Sequence, residues 1–198
     1  MKRSHKAEAE KKFAWPLSED RSRRVPSQRE SGSFAEDRGD RRHCGVDLYA
    51  PAGSKVVSID DGLVVEVGPF TSPEMIPYWN ETFFVIVENE SGLFVKYAEL
   101  EAVEVKPGDR LRAGDVVGLV GSVLNPEKID GDAPAYIREL KERGRPSMLH
   151  LELYESRPEP SERYRGGNWF GEGKPKGLLD PTRLLAAVSK ESGTNPES

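Results

Sequence analysis

The stretch RRHCGVDLYAPAG, Arg41 to Gly53, decides how the rest of the chain is read. It sets His43 and Asp47 in a His-x-x-x-Asp spacing, with Gly45 between them. A straight strand, rising about 3.3 Å per residue, would hold the two side chains roughly 13 Å apart. Zinc ligands lie ~2 Å from their metal. Both residues can therefore serve one ion only if the chain kinks at Cys44-Gly45, where glycine permits it. A helix fits poorly, because Gly45, Val46 and Ala50-Pro51-Ala52-Gly53 are weak helix formers. Alone, the spacing is weak evidence, and a surface histidine with a turn-capping aspartate is the better reading of it.

A third ligand candidate lies far downstream, in SMLHLELYE. Leu149, Leu151 and Leu153 alternate with Met148, His150, Glu152 and Tyr154, the period of a half-buried strand. His150 then points away from the leucine face. Two histidines and one carboxylate with an open fourth position make a catalytic type of zinc set, unlike the closed sets of structural sites. The chain has 3 histidines, and His5 lies in a charged segment.

Length and composition set bounds. With 198 residues, there is room for one domain with extensions. Charged residues make up 32% and hydrophobic ones 36%, so a modest core with polar tails is expected. A net charge of −5 argues against a general nucleic-acid binder, which needs a basic face. Cys44 is the sole cysteine, which rules out an intrachain disulfide; it reads as a small core residue. No apolar run is long enough to span a membrane. The start, MKRSHKAEAEKKFAWPL, is basic but carries no apolar signal region after it. As written, the chain reads as cytoplasmic.

Residues 1–24 read as a charged flexible tail, anchored at most through Phe13, Ala14 and Trp15-Pro16. Residues 25–189 read as one domain, and 190–198 as a disordered end. Within the domain, strands are expected at Gly45–Tyr49, Phe83–Val87, Leu93–Leu100 and Val116–Val120. Asp60-Asp61-Gly62 signals a hairpin joining Lys55–Ile59 to Leu63–Val67. Ala133–Arg143 has helical spacing and stops at Gly144. Arg157–Lys176 reads as loop, and Asp180-Pro181 caps a short closing helix.

These blocks together resemble the lysostaphin-type, or LytM-like, zinc metallopeptidases of the duplicated-hybrid-motif fold. HCGVDLYAPAGSKVVSIDDGLVVEVG is similar to the family's first ligand block, FVKYAELEAVEVKPGDRLRAGDVVGLVGS to its central block and MLHLELY to its last. The resemblance implies a mainly β fold with an antiparallel, sandwich- or barrel-like core, here with a helical insertion and a C-terminal helix. It implies zinc held by His43, Asp47 and His150, and a peptidoglycan peptide as substrate. It also favours export to the cell envelope.

Two positions depart from the family pattern. The central Tyr-x-His is Tyr97-Ala98-Glu99 here, and the first histidine of the final His-x-His is Met148. Glu99 can replace an imidazole as general base, as glutamate does in other zinc proteases. A thioether carries no proton and donates no hydrogen bond, so Met148 replaces nothing. Losing one oxyanion donor costs about 100- to 1000-fold in rate, unless Tyr97 or Tyr154 serves instead. Two readings follow: a zinc endopeptidase with altered catalysis through Glu99, or a silent module that binds cell-wall peptide or a partner protein. A third, a biotinyl- or lipoyl-type carrier suggested by VKPGDRLRAGDVVGLVGS, lacks a lysine in the expected hairpin.

Overall fold

The computed structural model describes residues 13–191, and all of its strand pairs are antiparallel. The chain runs β1 (Arg41–His43), β2 (Val46–Tyr49), β3 (Lys55–Val57), β4 (Gly62–Thr71), β5 (Thr82–Asn89), β6 (Phe94–Val103), β7 (Arg110–Leu111), β8 (Val116–Val120), α1 (Ala135–Glu142), β9 (Met148–Tyr154), β10 (Tyr164–Arg165), β11 (Asn168–Phe170), β12 (Leu178–Leu179) and α2 (Thr182–Glu191). A nine-stranded sheet runs β12-β9-β6-β5-β4-β7, with β2 on β9, β8 on β6 and β3 on β8. A three-stranded sheet has the order β1-β11-β10. The expected mainly β, antiparallel architecture is the one observed.

Leucines and valines at period two place one face of β2, β5, β6 and β9 in a shared core. Val46, Leu48, Val85, Val87, Val95, Tyr97, Leu149 and Leu151 are all buried there. α2 closes this core with Leu185 and Val188, and its first turn is capped by Asp180, whose Oδ1 accepts the Thr182 N–H at 2.9 Å. Packing begins at the anchor expected near Trp15. Trp15 and Leu17 lie in the core, and Leu17 bridges to Val56. Residues 13–24, read as tail from their charge, thus begin with core-packed aromatic and aliphatic side chains. The parts of the expected tails at 1–12 and 192–198 lie outside the described residues.

Three local expectations differ. The Asp60-Asp61-Gly62 turn does not close a hairpin: β3 pairs with β8, and β4 with β5 and β7. The turn's polar groups are taken by distant segments instead. Asp61 Oδ1 accepts the Ala113 N–H, and the Asp61 carbonyl accepts the Glu90 N–H. Second, the 157–176 loop contains a hairpin, β10–β11, turned at Gly166-Gly167, both at positive φ. This is the geometry of a two-residue primed turn. Third, β9 is buried on both faces, not one. The three-stranded sheet, Phe70 and the 120s segment cover the face that carries His150.

The insertion before β9 has its own small core. Ile137 and Leu140, three residues apart on α1, pack with Trp79, Val123, Leu124, Ile129, Ala133 and Met148. Gly144, at φ 60°, ends the helix, and the Arg145 N–H reaches back to the Leu140 carbonyl. Among the described residues, no helix is long and apolar enough to cross a membrane.

Candidate metal centre

Pairing of β2 with β9 sets Asp47 directly opposite His150. Cross-strand partners have Cβ atoms about 5 Å apart on one face, so the register alone brings these two together. His43 arrives from the other sheet. The chain leaves β1 at Cys44-Gly45 and enters β2, and this change of sheet is the kink that the spacing required. Gly45 is needed for room rather than for an unusual φ. A Cβ there would lie 2.4 Å from the Leu151 carbonyl oxygen and 2.9 Å from the His150 ring. Cys44 is fully buried beside Tyr154, Trp169 and Leu178, and burial raises its thiol pKa, so it packs and does not react.

Three ligand atoms meet. His43 Nε2 lies 3.0 Å from His150 Nδ1 and 3.1 Å from Asp47 Oδ1, and the last two are 2.9 Å apart. The other ring nitrogens fix the tautomers. His43 Nδ1 donates to the Ser33 carbonyl at 2.8 Å, and His150 Nε2 donates to Glu152 Oε1 at 2.8 Å. With neutral rings, both inward nitrogens then carry lone pairs, and so does Asp47 Oδ1. In that state three acceptors face one another at about 3 Å and repel unless a cation sits among them; without metal, a proton on His150 Nδ1, held toward Asp47, fills that place. That is the physical case that this donor set fits a metal, and two imidazoles with one carboxylate suit zinc.

Glu152 anchors this arrangement from behind, as carboxylates often do for metal-binding histidines. Its two oxygens also accept the Tyr164 and Tyr154 hydroxyls, each at 2.7 Å, and Lys96 Nζ lies 3.8 Å away. Burial opposes its charge, but Lys96 and His150 outweigh that and hold its pKa near 2. Phe70 stacks on the His150 ring with centroids 5.6 Å apart. Gly167 approaches so closely that a Cβ would meet the ring at 2.6 Å.

Glu99 reaches the same region through a bulge. Tyr97 pairs with Leu151 and Ala98 with His150, but the partners of β6 slip from Phe84 at Ala98 to Phe83 at Leu100. On a regular strand Glu99 would share the Tyr97 face and enter the apolar core. The extra residue, at φ 64°, turns it to the metal-cluster side. Its Oε2 is buried without a partner among the described residues, and it lines a cavity with Asp47, Arg38 and Met148. Burial, reinforced by Asp47, pushes its pKa up to about 8.

The tyrosines point elsewhere. The Tyr97 hydroxyl accepts the Ile59 N–H at 2.8 Å on the core side, and that of Tyr154 donates to Glu152. Neither lines the cavity. Met148 packs in the apolar cluster under α1, which gives its replacement of a histidine a structural reason. The cavity itself is about 30 Å³, room for a water and not for a peptide. Tyr136, Ile137 and Leu140 of α1 form one wall, Trp79 and Leu124 another.

Nothing in the sequence marks Arg38 as part of this site. Its guanidinium is buried against Asp47 Oδ2 at 3.2 Å, Glu36 Oε2 at 2.9 Å and Asn168 Oδ1 at 3.0 Å, under the Tyr136 ring. Burial disfavours its charge, yet Asp47 and Glu36 raise its pKa overall.

The family model for peptidase family M23 matches residues 41–157, more than half of the chain. This protein belongs to peptidase family M23. The matched span includes all three clustered ligand atoms and Glu99. The family member is 36% identical over 80 residues to the glycyl-glycine endopeptidase ALE-1 of Staphylococcus capitis, covering 40% of this chain and 20% of that protein. It is 30% identical over 111 residues to the cell division protein DipM of Caulobacter vibrioides, covering 56% and 16%. The M23 chain thus spans a fifth or less of the length of these relatives. Among solved structures, the antimicrobial peptidase lysostaphin from Staphylococcus simulans shares the fold at a TM-score of 0.52 and 18% identity, over 95% of this chain and 57% of that one.

A pH prediction follows from the cluster. Burial opposes charge on His150, but its bonds to Asp47 and Glu152 win and raise its pKa to about 9 in the metal-free protein. A base whose pKa is raised on folding stabilises fully below its unfolded value, 6.5, and loses that contribution as pH rises through about 9. The rise is worth roughly 3 kcal/mol. Glu99, raised from 4.5 to about 8, acts with the same sign over its own window. Metal-free protein should therefore lose stability between pH 6.5 and 9 while the zinc-loaded protein does not. Denaturant titrations with and without chelator across that range would show the gap widening. A constant gap would contradict the assignment.

Proposed function

We propose that this protein is a zinc-dependent peptide hydrolase acting on peptidoglycan peptides, with Glu99 handling the proton. The observation that carries this reading is the meeting of His43 Nε2, Asp47 Oδ1 and His150 Nδ1 at about 3 Å, beside a Glu99 whose Oε2 is buried without a partner among the described residues. His43 Nε2, Asp47 Oδ1 and His150 Nδ1 would hold the ion. When bound, zinc supplies Lewis acidity, polarising the scissile carbonyl and acidifying a water.

The chain's own residues supply the rest. Ser33 and Glu152 keep the two imidazoles in the tautomers that present lone pairs. Glu99 accepts a proton from the attacking water and returns it to the leaving amine. The buried surroundings strengthen each electrostatic contact. A cell-wall peptide as substrate is supported by the glycyl-glycine endopeptidase activity in the name of one relative.

The test is release of amines from purified sacculi. Wild type should solubilise them, chelator should stop it, and Glu99→Gln should lower turnover by about 100- to 10,000-fold, the usual worth of a general base. Glu99→Gln should still hold one zinc. Cleavage unaffected by that change would remove Glu99 from the mechanism. A second reading rests on the apolar cover over the site: a silent M23 module that binds wall peptide or a protein partner. Sacculus binding without release, in wild type and variant alike, would favour it.

A further inference from the structure

The hydrolase reading leaves one part of the chemistry unassigned. As water's oxygen bonds to the carbonyl carbon, the C=O π electrons move onto the carbonyl oxygen. A donor must stabilise that charge until the C–N bond breaks and the amine leaves with the proton from Glu99. Met148 cannot do so, the Tyr97 hydroxyl lies on the core side, and that of Tyr154 donates to Glu152.

Resting on that reading, we propose that Arg38 is the second catalytic residue, an N–H donor to the developing oxyanion in place of the missing imidazole. Arg38 lines the cavity with Asp47, Glu99 and Met148. Four of its N–H bonds are accounted for. Nε and Nη2 donate to Glu36 Oε2 at 3.0 and 2.9 Å, Nη2 also to Asp47 Oδ2 at 3.2 Å, and Nη1 to Asn168 Oδ1 at 3.0 Å. An arginine has five N–H donors, so one on Nη1 is left over. The three acceptors hold the fork rigidly, which is what an oxyanion donor requires: it costs no reorganisation at the moment of reaction. A guanidinium is also charged at any working pH.

Rival donors are weaker. Asn168 Nδ2 is spent on the Gly166 and Arg165 carbonyls. Tyr136 sits on α1, in the insertion that walls the cavity. Arg38 is on the fixed side, tied to Asp47 and to β11 through Asn168.

Arg38 also contacts a proposed ligand, so the experiment must separate donation from support of Asp47. Zinc-loaded wild type, Arg38→Gln and Arg38→Lys are compared in three measurements: zinc per chain, turnover and KM on sacculi, and affinity for inorganic phosphate as a tetrahedral anion. The proposal expects Arg38→Gln to keep one zinc, lose about 100- to 1000-fold in turnover with KM little changed, and bind phosphate at least about tenfold more weakly. Arg38→Lys should fall between. Turnover or phosphate affinity unchanged in Arg38→Gln overturns the proposal, as does loss of zinc in step with activity. Wild type that cleaves nothing sinks the hydrolase reading and this role together. Wild type that cleaves while Arg38→Gln cleaves equally sinks only the role of Arg38.

Discussion

His150→Ala should take the protein from one bound zinc per chain to none and abolish chelator-sensitive hydrolysis. It removes one of three converging donors, and the remaining His43 and Asp47 cannot complete a catalytic zinc set. Stability should fall as well, and the size can be argued. The ring is buried and serves two carboxylates at once, Asp47 and Glu152. Removing one partner of a buried ion pair costs about 3–5 kcal/mol, because a charge is left uncompensated. Here Glu152 keeps Tyr154, Tyr164 and Lys96, and Asp47 keeps Arg38 and His43. The low end, about 3 kcal/mol, is therefore expected, or roughly 6–12 °C in melting temperature for a domain of this size. Metal analysis with thermal melts of metal-free protein separates the two effects. Full zinc occupancy in the variant would dismantle the proposed ligand set.

Part of this site is written in the sequence. The His43–Asp47 spacing demands a bend, and the period-two leucines of 149–153 set His150 on the opposite face from the core. Both requirements are local, and both were legible. Glu152 was legible too, since it sits two residues from His150 on the same strand face. Other features depend on what folds over them. Nothing around Arg38 distinguishes it from Arg41 or Arg42; only the position of Asp47, Glu36 and Asn168 turns it inward. The bulge at Glu99 is set by its β5 and β8 neighbours, so a regular strand would have hidden that carboxyl in the core. The Asp60-Asp61-Gly62 turn misled for the same reason. Its local signal is real, but residues 90 and 113 take its hydrogen-bonding groups. The Gly166-Gly167 hairpin was readable from its two glycines, yet lay within a segment whose charge and proline content suggested loop throughout.

Excising the insertion should raise peptide hydrolysis at least about tenfold. Asp47 lines two spaces: the cavity of about 30 Å³ beside Glu99, and a groove of about 500 Å³ bordered by Arg29, Tyr49 and Arg145. α1 borders both, with Tyr136, Ile137 and Leu140 toward the cavity and Glu139, with Arg143 just past its end, toward the groove. Removing it would join them into a cleft that a peptide can enter. The fold allows the cut. The Val123 N–H donates to the Pro146 carbonyl at 2.9 Å, and Ser122 bridges to Ser147. The ends of the insertion are thus already neighbours, and an Asn-Gly turn in place of residues 125–145 can close them. The main core uses none of those residues, so the shortened protein should fold, at the cost of exposing Trp79 and Met148. The expected gain follows from populations. If a peptide binds only when α1 is displaced, and that state holds about 1–10% of molecules, removing α1 raises apparent affinity about 10- to 100-fold. The effect should therefore appear in KM, with turnover at saturation little changed. A milder variant, Leu140→Ala, should loosen the same cluster by about 2–5 kcal/mol and shift KM in the same direction. If the shortened, zinc-loaded protein binds sacculi more tightly yet still releases nothing, the cover was not what silenced it. The replacement of a catalytic imidazole by Met148 would then be decisive, and the silent-module reading would stand.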